Sequence, residues 1–156
     1  LGLDLTLASR CGFSSDLSGP VNDRAVFHAD NTYWLPDVAL HSFRCKTNTV
    51  SDTAFRGFGG PQGMFPIEHV IDEVARALGR DPLDVRIANL YGDTSRNVTP
   101  YGMTVEDNII ERVIDEFDRQ VDLKSWRDSV IAFNKTSPVI RNGASQSVCC
   151  LMSEPP

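Results

Sequence analysis

The sequence predicts an α+β fold, with strands and loops in the N-terminal half and a helical layer in the C-terminal half. Three observations predict it. Leu3, Leu5 and Leu7 alternate with Asp4, Thr6 and Ala8, the period of a half-buried strand. From Ile67 onward, apolar residues recur at the spacing of an amphipathic helix. Between the halves lies Thr53-Ala54-Phe55-Arg56-Gly57-Phe58-Gly59-Gly60-Pro61-Gln62-Gly63-Met64-Phe65, with four glycines, three phenylalanines and one arginine.

The first strand is already in stride at Leu3, so its partners are expected upstream of Leu1. Ser14 to Gly19 is rich in turn formers. Pro20 to Ala29 is expected to form a short helix with Val21, Ala25 and His28 on one side and Arg24 nearby. Thr32 to Pro36 is aromatic and ends on a proline, which disfavours helix before it. Val38 to Asn48 alternates loosely, Val38, Leu40, Ser42 and Arg44 against Ala39, His41, Phe43 and Cys45. It reads as a strand feeding the glycine-rich tract.

After Pro66 the pattern is helical. Ile67, Val70, Ile71, Val74 and Leu78 share a face, and Gly79 ends it. Asp81-Pro82 restarts a helix whose apolar stripe is Leu83, Ile87 and Leu90. Gly92 to Gly102 reads as loop. Thr104-Val105-Glu106-Asp107 resembles a capping box ahead of a helix through Val105, Ile109, Val113 and Phe117. Leu123, Trp126, Val130 and Phe133 predict a last helix, and Ala144 to Pro156 carries no period and reads as a frayed end.

A chain of 156 residues can bury the core of one domain. A net charge of −6 without a basic stripe argues against a nucleic-acid surface. No apolar run approaches the roughly 20 residues of a membrane span. The start at Leu1-Gly2-Leu3, without methionine, suggests a fragment of something longer. Cys11, Cys45, Cys149 and Cys150 lack metal or disulfide-framework spacing and read as reduced, mostly buried thiols of a cytosolic protein. His28, His41 and His69 share no ligand spacing and read as surface or packed histidines.

The glycine-rich tract is where chemistry is expected. Glycine reaches positive φ and lets a backbone approach a ligand, phenylalanine offers flat apolar faces, and arginine offers a fixed fork of donors. Backbone amides ahead of a helix could cradle an anion. No Gly-Lys-Ser/Thr follows, so the tract is not a Walker A loop. Gly57-Phe58-Gly59-Gly60 lacks dinucleotide spacing, and no clean βαβ unit is expected around it. A tight strand-to-helix connection is the plain structural alternative.

Ala54-Phe55-Arg56-Gly57-Phe58-Gly59-Gly60-Pro61-Gln62 resembles the hallmark loop of the xanthine dehydrogenase/aldehyde oxidase family, the molybdenum hydroxylases. Asp23 through Asn31, then Tyr33 and Pro36, then Cys45-Lys46-Thr47-Asn48, sit at the spacings expected of that family. The block from Glu68 to Tyr91, including Val85, Arg86, Asn89 and Leu90, continues the match. The resemblance covers roughly Leu3 to Gly143. With Arg24 present, it is closest to the xanthine dehydrogenase branch, in the large molybdopterin-binding subunit of a bacterial enzyme. It implies that residues 1–143 are part of a larger molybdopterin-binding domain and that 144–156, which leaves the family pattern, is an aberrant tail.

The resemblance implies hydroxylation of hypoxanthine and xanthine to urate at molybdenum-molybdopterin. Electrons would leave through 2Fe-2S clusters to FAD and NAD on other domains or subunits. A small-molecule purine substrate, an FAD/iron–sulfur subunit, homo- or hetero-oligomerisation and a cytoplasmic location come with it. By position, Arg24 would face the purine and stabilise negative charge growing on it. Phe58 would lie along the purine plane. Arg56 would approach molybdenum through its backbone amide, with Ala54, Phe55 and Gly57 along the same cofactor wall. The family's glutamate base, its other cofactor loop with its glutamine, its substrate glutamate and its second stacking phenylalanine have no counterpart in these residues. The chain alone is therefore expected to be inactive. An aldehyde oxidase or other heterocycle hydroxylase of the same family is the alternative, and a non-catalytic helical remnant module is a second one.

Overall fold

In the computed structural model, which describes residues 2–143, strands β1 (Gly2–Gly12) and β2 (Asp37–Lys46) run parallel. Leu3 pairs with Val38, Leu5 with Leu40 and Leu7 with Ser42, so the alternating residues of both strands share an inner face. Among the described residues β1 has one partner, β2, downstream of it. Parallel neighbours need a crossover, and helix α1 (Ser18–Phe27) supplies it, so β1, α1 and β2 form a βαβ unit, which corrects the expectation that no clean one surrounds the tract. The loose alternation of β2 and the brevity of α1 hid it.

A buried asparagine ties the crossover helix to the strands. Asn22 is 2% exposed; its Oδ1 accepts from Ser9 Oγ of β1 at 2.5 Å, and its Nδ2 donates to Ser42 Oγ of β2. Both ends of the amide are thus satisfied, which avoids the cost of about 1–3 kcal/mol for a buried polar group left unpaired.

Helix α2 (Gly60–Leu78) starts two turns before the expected boundary at Pro66, which lies inside it. Pro66 has no N–H for the carbonyl one turn earlier, yet the first turns hold because they rest on α1 through Gly63, described below. At the other end Gly79 takes φ 61°, its N–H donates to Arg76, and the N–H of Arg80 donates to Ala75. This is a Schellman stop, as the glycine predicted. Asp81 caps helix α3 (Pro82–Asn89) by accepting from Leu83 N at 2.7 Å.

The apolar stripe expected on α3 is buried in part: Leu90 is buried and Leu83 half-buried, but Ile87 is not. Ile87 is 44% exposed, whereas Val85 and Arg86 face inward. Arg86 meets Glu68 and Asp72 of α2: its Nε and one terminal nitrogen donate to Glu68 Oε2 at 3.0 and 2.8 Å, and the ion pair to Asp72 is 2.8 Å. The other carboxylate oxygen of Glu68 accepts from the fully buried Tyr33 hydroxyl at 2.7 Å and from Asn31 Nδ2 at 2.9 Å. Ile67, Ile71, Ala75, Val85 and Leu90 are buried in the same unit.

Thr104 does not cap a helix. It forms an antiparallel bridge to Val98, and Val105 N donates to Asn97 O at 2.7 Å. Among the described residues a second compact unit begins at Asp107. In it Asn108 Oδ1 accepts from Ile110 N at the start of helix α4 (Ile110–Val121). Asp122, at φ 48°, ends α4 and caps helix α5 (Leu123–Thr136) by accepting from Ser125 N. Cys11 is buried and Cys45 is exposed, against the expectation of mostly buried thiols, because Cys45 points off the outer end of β2. Cys149, Cys150 and the expected frayed end lie outside the described residues.

Candidate functional site

The glycine-rich tract leaves the C-terminal end of β2 and is held at both of its ends. At the near end, residues 49–52 lie against the end of β1. Phe13 N donates to Thr49 O at 3.0 Å, Asp52 N to Cys11 O at 3.2 Å, and Ser18 Oγ to Asp52 O at 3.4 Å. The Ser14 and Ser51 hydroxyls are hydrogen-bonded. Gly12, at φ 78°, permits the approach: a Cβ there would sit 2.2 Å from Val50 O. The guanidinium of Arg10 grips Asp52 with two bonds of 3.0 and 3.2 Å.

At the far end the tract docks on α1. A Cβ on Gly59 would lie 1.9 Å from Val21 O, and one on Gly63 would lie 2.0 Å from Ala25 O. Only glycine allows backbone on backbone at this range. Gly57, Phe58 and Gly59 all have positive φ, at 93°, 46° and 98°, and turn the chain into α2. For Phe58 this left-handed conformation costs about 1–2 kcal/mol, so the surrounding contacts must impose it. Phe58 N donates to Phe55 O and Gly60 N to Gly57 O, both at 2.9 Å.

Between the two anchorages, the backbone amides of Ala54, Phe55, Arg56 and Gly57 donate no backbone hydrogen bond among the described residues. Phe55 is 80% exposed, Arg56 and Gly57 are exposed, and Ala54 and Phe58 are half-buried. Arg24 is half-buried in the last turn of α1, within the Val21–Ala25 turn on which Gly59 and Gly63 rest. His28 Nδ1 donates to the Arg24 carbonyl at 2.8 Å, and its ring packs over Gly60. The fold thus docks the Gly59–Gly63 end of the tract on the α1 turn that bears Arg24, far from it in sequence. His41 and His69 lie elsewhere on the surface.

The buried polar network of the same unit was not anticipated from the sequence. Burial works against the charge of Arg86, but Glu68 and Asp72 outweigh it and hold the guanidinium pKa up. Burial raises the Tyr33 hydroxyl, with Glu68 adding to the shift, so Tyr33 stays protonated as a donor. Asp30 is 5% exposed and accepts from Tyr91 Oη at 2.5 Å; burial nonetheless raises its carboxyl pKa. An arginine inside an otherwise apolar helix pattern, opposite two acids spaced four apart, was the available signal for this network.

Among the described residues no three His, Cys, Asp or Glu side chains converge as a protein-ligated metal requires, and no helix is long and apolar enough to cross a membrane. What the tract offers is a row of exposed amide donors flanked by positions where a Cβ would block approach. That donor set fits a cofactor bringing its own metal ligands and anionic groups.

The family model of the molybdopterin cofactor-binding domain matches residues 1–90, and the chain belongs to that family. The curated relatives it matches include xanthine dehydrogenases and a nicotinate hydroxylase of Emericella nidulans, the latter 37% identical over 135 residues, covering 86% of this chain and 10% of the relative. The chain is 42% identical over 144 residues to the xanthine dehydrogenase of Drosophila subobscura, covering 91% of this chain and 10% of the relative. It is 39% identical over 143 residues to that of Dictyostelium discoideum, covering 92% and 10%. Among solved structures, the aldehyde oxidoreductase of Desulfovibrio desulfuricans ATCC 27774 superposes with a TM-score of 0.69 at 25% identity. That likeness covers 89% of this chain and 15% of the other. The chain therefore spans about a tenth of the length of its curated relatives.

Proposed function

We propose that this chain forms one wall of a molybdenum active site which, in the intact enzyme, hydroxylates hypoxanthine and xanthine to urate. The observation that carries the reading is the run of amides at 54–57, which donate to no backbone acceptor among the described residues and lie between the anchorage on β1 and the docking of Gly59 on the α1 turn that bears Arg24. The molybdenum cofactor, when bound, supplies the two-electron oxidation of the substrate carbon. Arg56, through its backbone amide, and Ala54, Phe55 and Gly57 along the same wall are the residues that would hold the cofactor. Phe58 orients a flat ring against its face. Arg24 offers a fixed cation to negative charge developing on the purine. The general base comes from outside these residues. Electrons pass to 2Fe-2S clusters, FAD and NAD on other domains or a partner subunit of a cytoplasmic oligomer. Residues 1–143 are the part belonging to the molybdopterin-binding domain, and 144–156 the part departing from it.

The test is to purify the full-length gene product with its partner subunit, measure molybdenum by mass spectrometry and assay urate formation. Metal-free protein without turnover would leave only the non-catalytic remnant. The 156-residue chain alone is expected to form no urate, and turnover by it would overturn the assignment of the base to other residues.

The likeness to an aldehyde oxidoreductase favours a second reading, in which the intact enzyme takes an aldehyde or another heterocycle. Arg24 separates the two, since an aldehyde develops no charge on a ring for it to meet.

A further inference from the structure

We infer that the Arg10–Asp52 ion pair is a salt-sensitive latch that positions the cofactor-facing amides; this rests on the molybdenum reading above. Asp52 is the last residue fixed to the end of β1 before the chain enters Thr53 to Gly57. Its three kinds of anchorage are distinct: its N–H bonds Cys11 O, its carbonyl accepts from Ser18 Oγ, and its carboxylate takes both donors of Arg10. The first two fix where the backbone of residue 52 lies. The third adds a side-chain restraint to these two, because a bidentate guanidinium–carboxylate pair constrains direction as well as distance.

That direction matters because the next fixed point is the left-handed turn at Gly57 to Gly59, docked on Val21. The amides of residues 54–57 donate no backbone hydrogen bond among the described residues; besides the two anchorages, only the Phe55–Arg56 peptide is held within the run, through the Phe58 N–H on Phe55 O at 2.9 Å. The far anchorage is steric and insensitive to ions. The near one includes an exposed ion pair, with Arg10 and Asp52 side chains 64% and 37% accessible, and such pairs are screened by salt. Arg10 and Asp52 are thus positioning residues, not catalytic ones.

The experiment uses the full-length holoenzyme and its Asp52→Asn, Arg10→Ala and charge-swapped Arg10→Asp/Asp52→Arg variants. Cofactor retention is followed as molybdenum content during dialysis at low and high salt. Amide hydrogen exchange is followed over residues 53–57. Either single substitution is expected to speed molybdenum loss about two- to five-fold at low salt and to speed exchange in 53–57, with the thermal midpoint unchanged. The swap is expected to restore both, and high salt is expected to bring wild type to the level of the single variants. Rescue by the swap separates a latch from a generic loss of structure. Equal retention and exchange in wild type and the single variants would overturn the latch while leaving the molybdenum reading intact. Wild-type enzyme without molybdenum would overturn both.

Discussion

Gly63 and Ala25 meet with no room for a side chain: a methyl group on Gly63 would lie 2.0 Å from the Ala25 carbonyl oxygen and 3.0 Å from its Cα. This contact seats the start of α2 on α1. It helps a helix begin at Gly60 despite Pro66 in its second turn; Pro61, in the first turn, is where proline suits a helix start.

Gly63→Ala is therefore expected to cost about 2–3 kcal/mol, since backbone cannot yield as a flexible side chain can. Gly102→Ala is the control. Its φ is 85° but a Cβ there meets nothing within 4 Å, so only the left-handed conformation counts, roughly 1 kcal/mol. Urea unfolding of the two variants measures the difference. Equal losses would mean that the docking is looser than the structure shows.

Arg86 is the charge on which the buried network turns. Arg86→Met leaves the Glu68 carboxylate inside with its tyrosine and asparagine donors but no cation, a loss expected at about 3 kcal/mol or more. Disrupting the exposed pair of Arg76 and Glu73 by Glu73→Gln is expected to change stability by less than about 1 kcal/mol. Denaturant midpoints for both variants, compared with wild type, decide it.

Asp30 makes stability depend on pH in a predictable sense. Burial, opposed by the Tyr91 hydrogen bond, holds its carboxyl above the usual 3.8 in the folded chain. The folded state then binds more protons than the unfolded state just above that value, so stability falls as pH rises through that window. Asp30→Asn keeps an acceptor for Tyr91 and removes the titration. Thermal midpoints between about pH 4 and 7 are expected to fall less with rising pH in the variant than in wild type. Parallel curves would assign the pH dependence to another group.

Arg24→Ala in the intact enzyme is expected to lower kcat/KM for xanthine by about 100-fold or more, the scale of removing one preorganised charge from a transition state. Aldehyde oxidation is expected to change by less than about ten-fold. Steady-state assays on both substrates measure the ratio, and equal losses would favour the aldehyde reading.

Much of the site was legible in the sequence because it is local. Glycines at 57, 59, 60 and 63 announce a backbone that must approach something closely, and Arg56 and Phe58 lie between them. Asp81-Pro82 and Gly79 mark helix ends by chemistry confined to a few residues, and both ends fall where that chemistry puts them. The start of α2 was not legible. Pro66 looks like a boundary when only propensity is weighed, and the contact that overrides it comes from α1, 38 positions before Gly63 in the Ala25 pairing.

The same division holds for the charged residues. Nothing in the order of the chain says that Arg10 belongs with Asp52, or Arg86 with Glu68, because each pair is made by elements meeting in space. Sequence by itself determined the alternation of β1, the apolar face of α2 and the glycine-rich tract with its chemical character. These depend on the periodicity of one element and on the φ range open to glycine. The tertiary structure alone decided that β1 and β2 run parallel, that α3 buries Arg86 and leaves Ile87 exposed, and that Gly59 and Gly63 dock on the α1 turn that bears Arg24. Those follow from which surfaces exclude water together, and that is a property of the packed chain rather than of any segment.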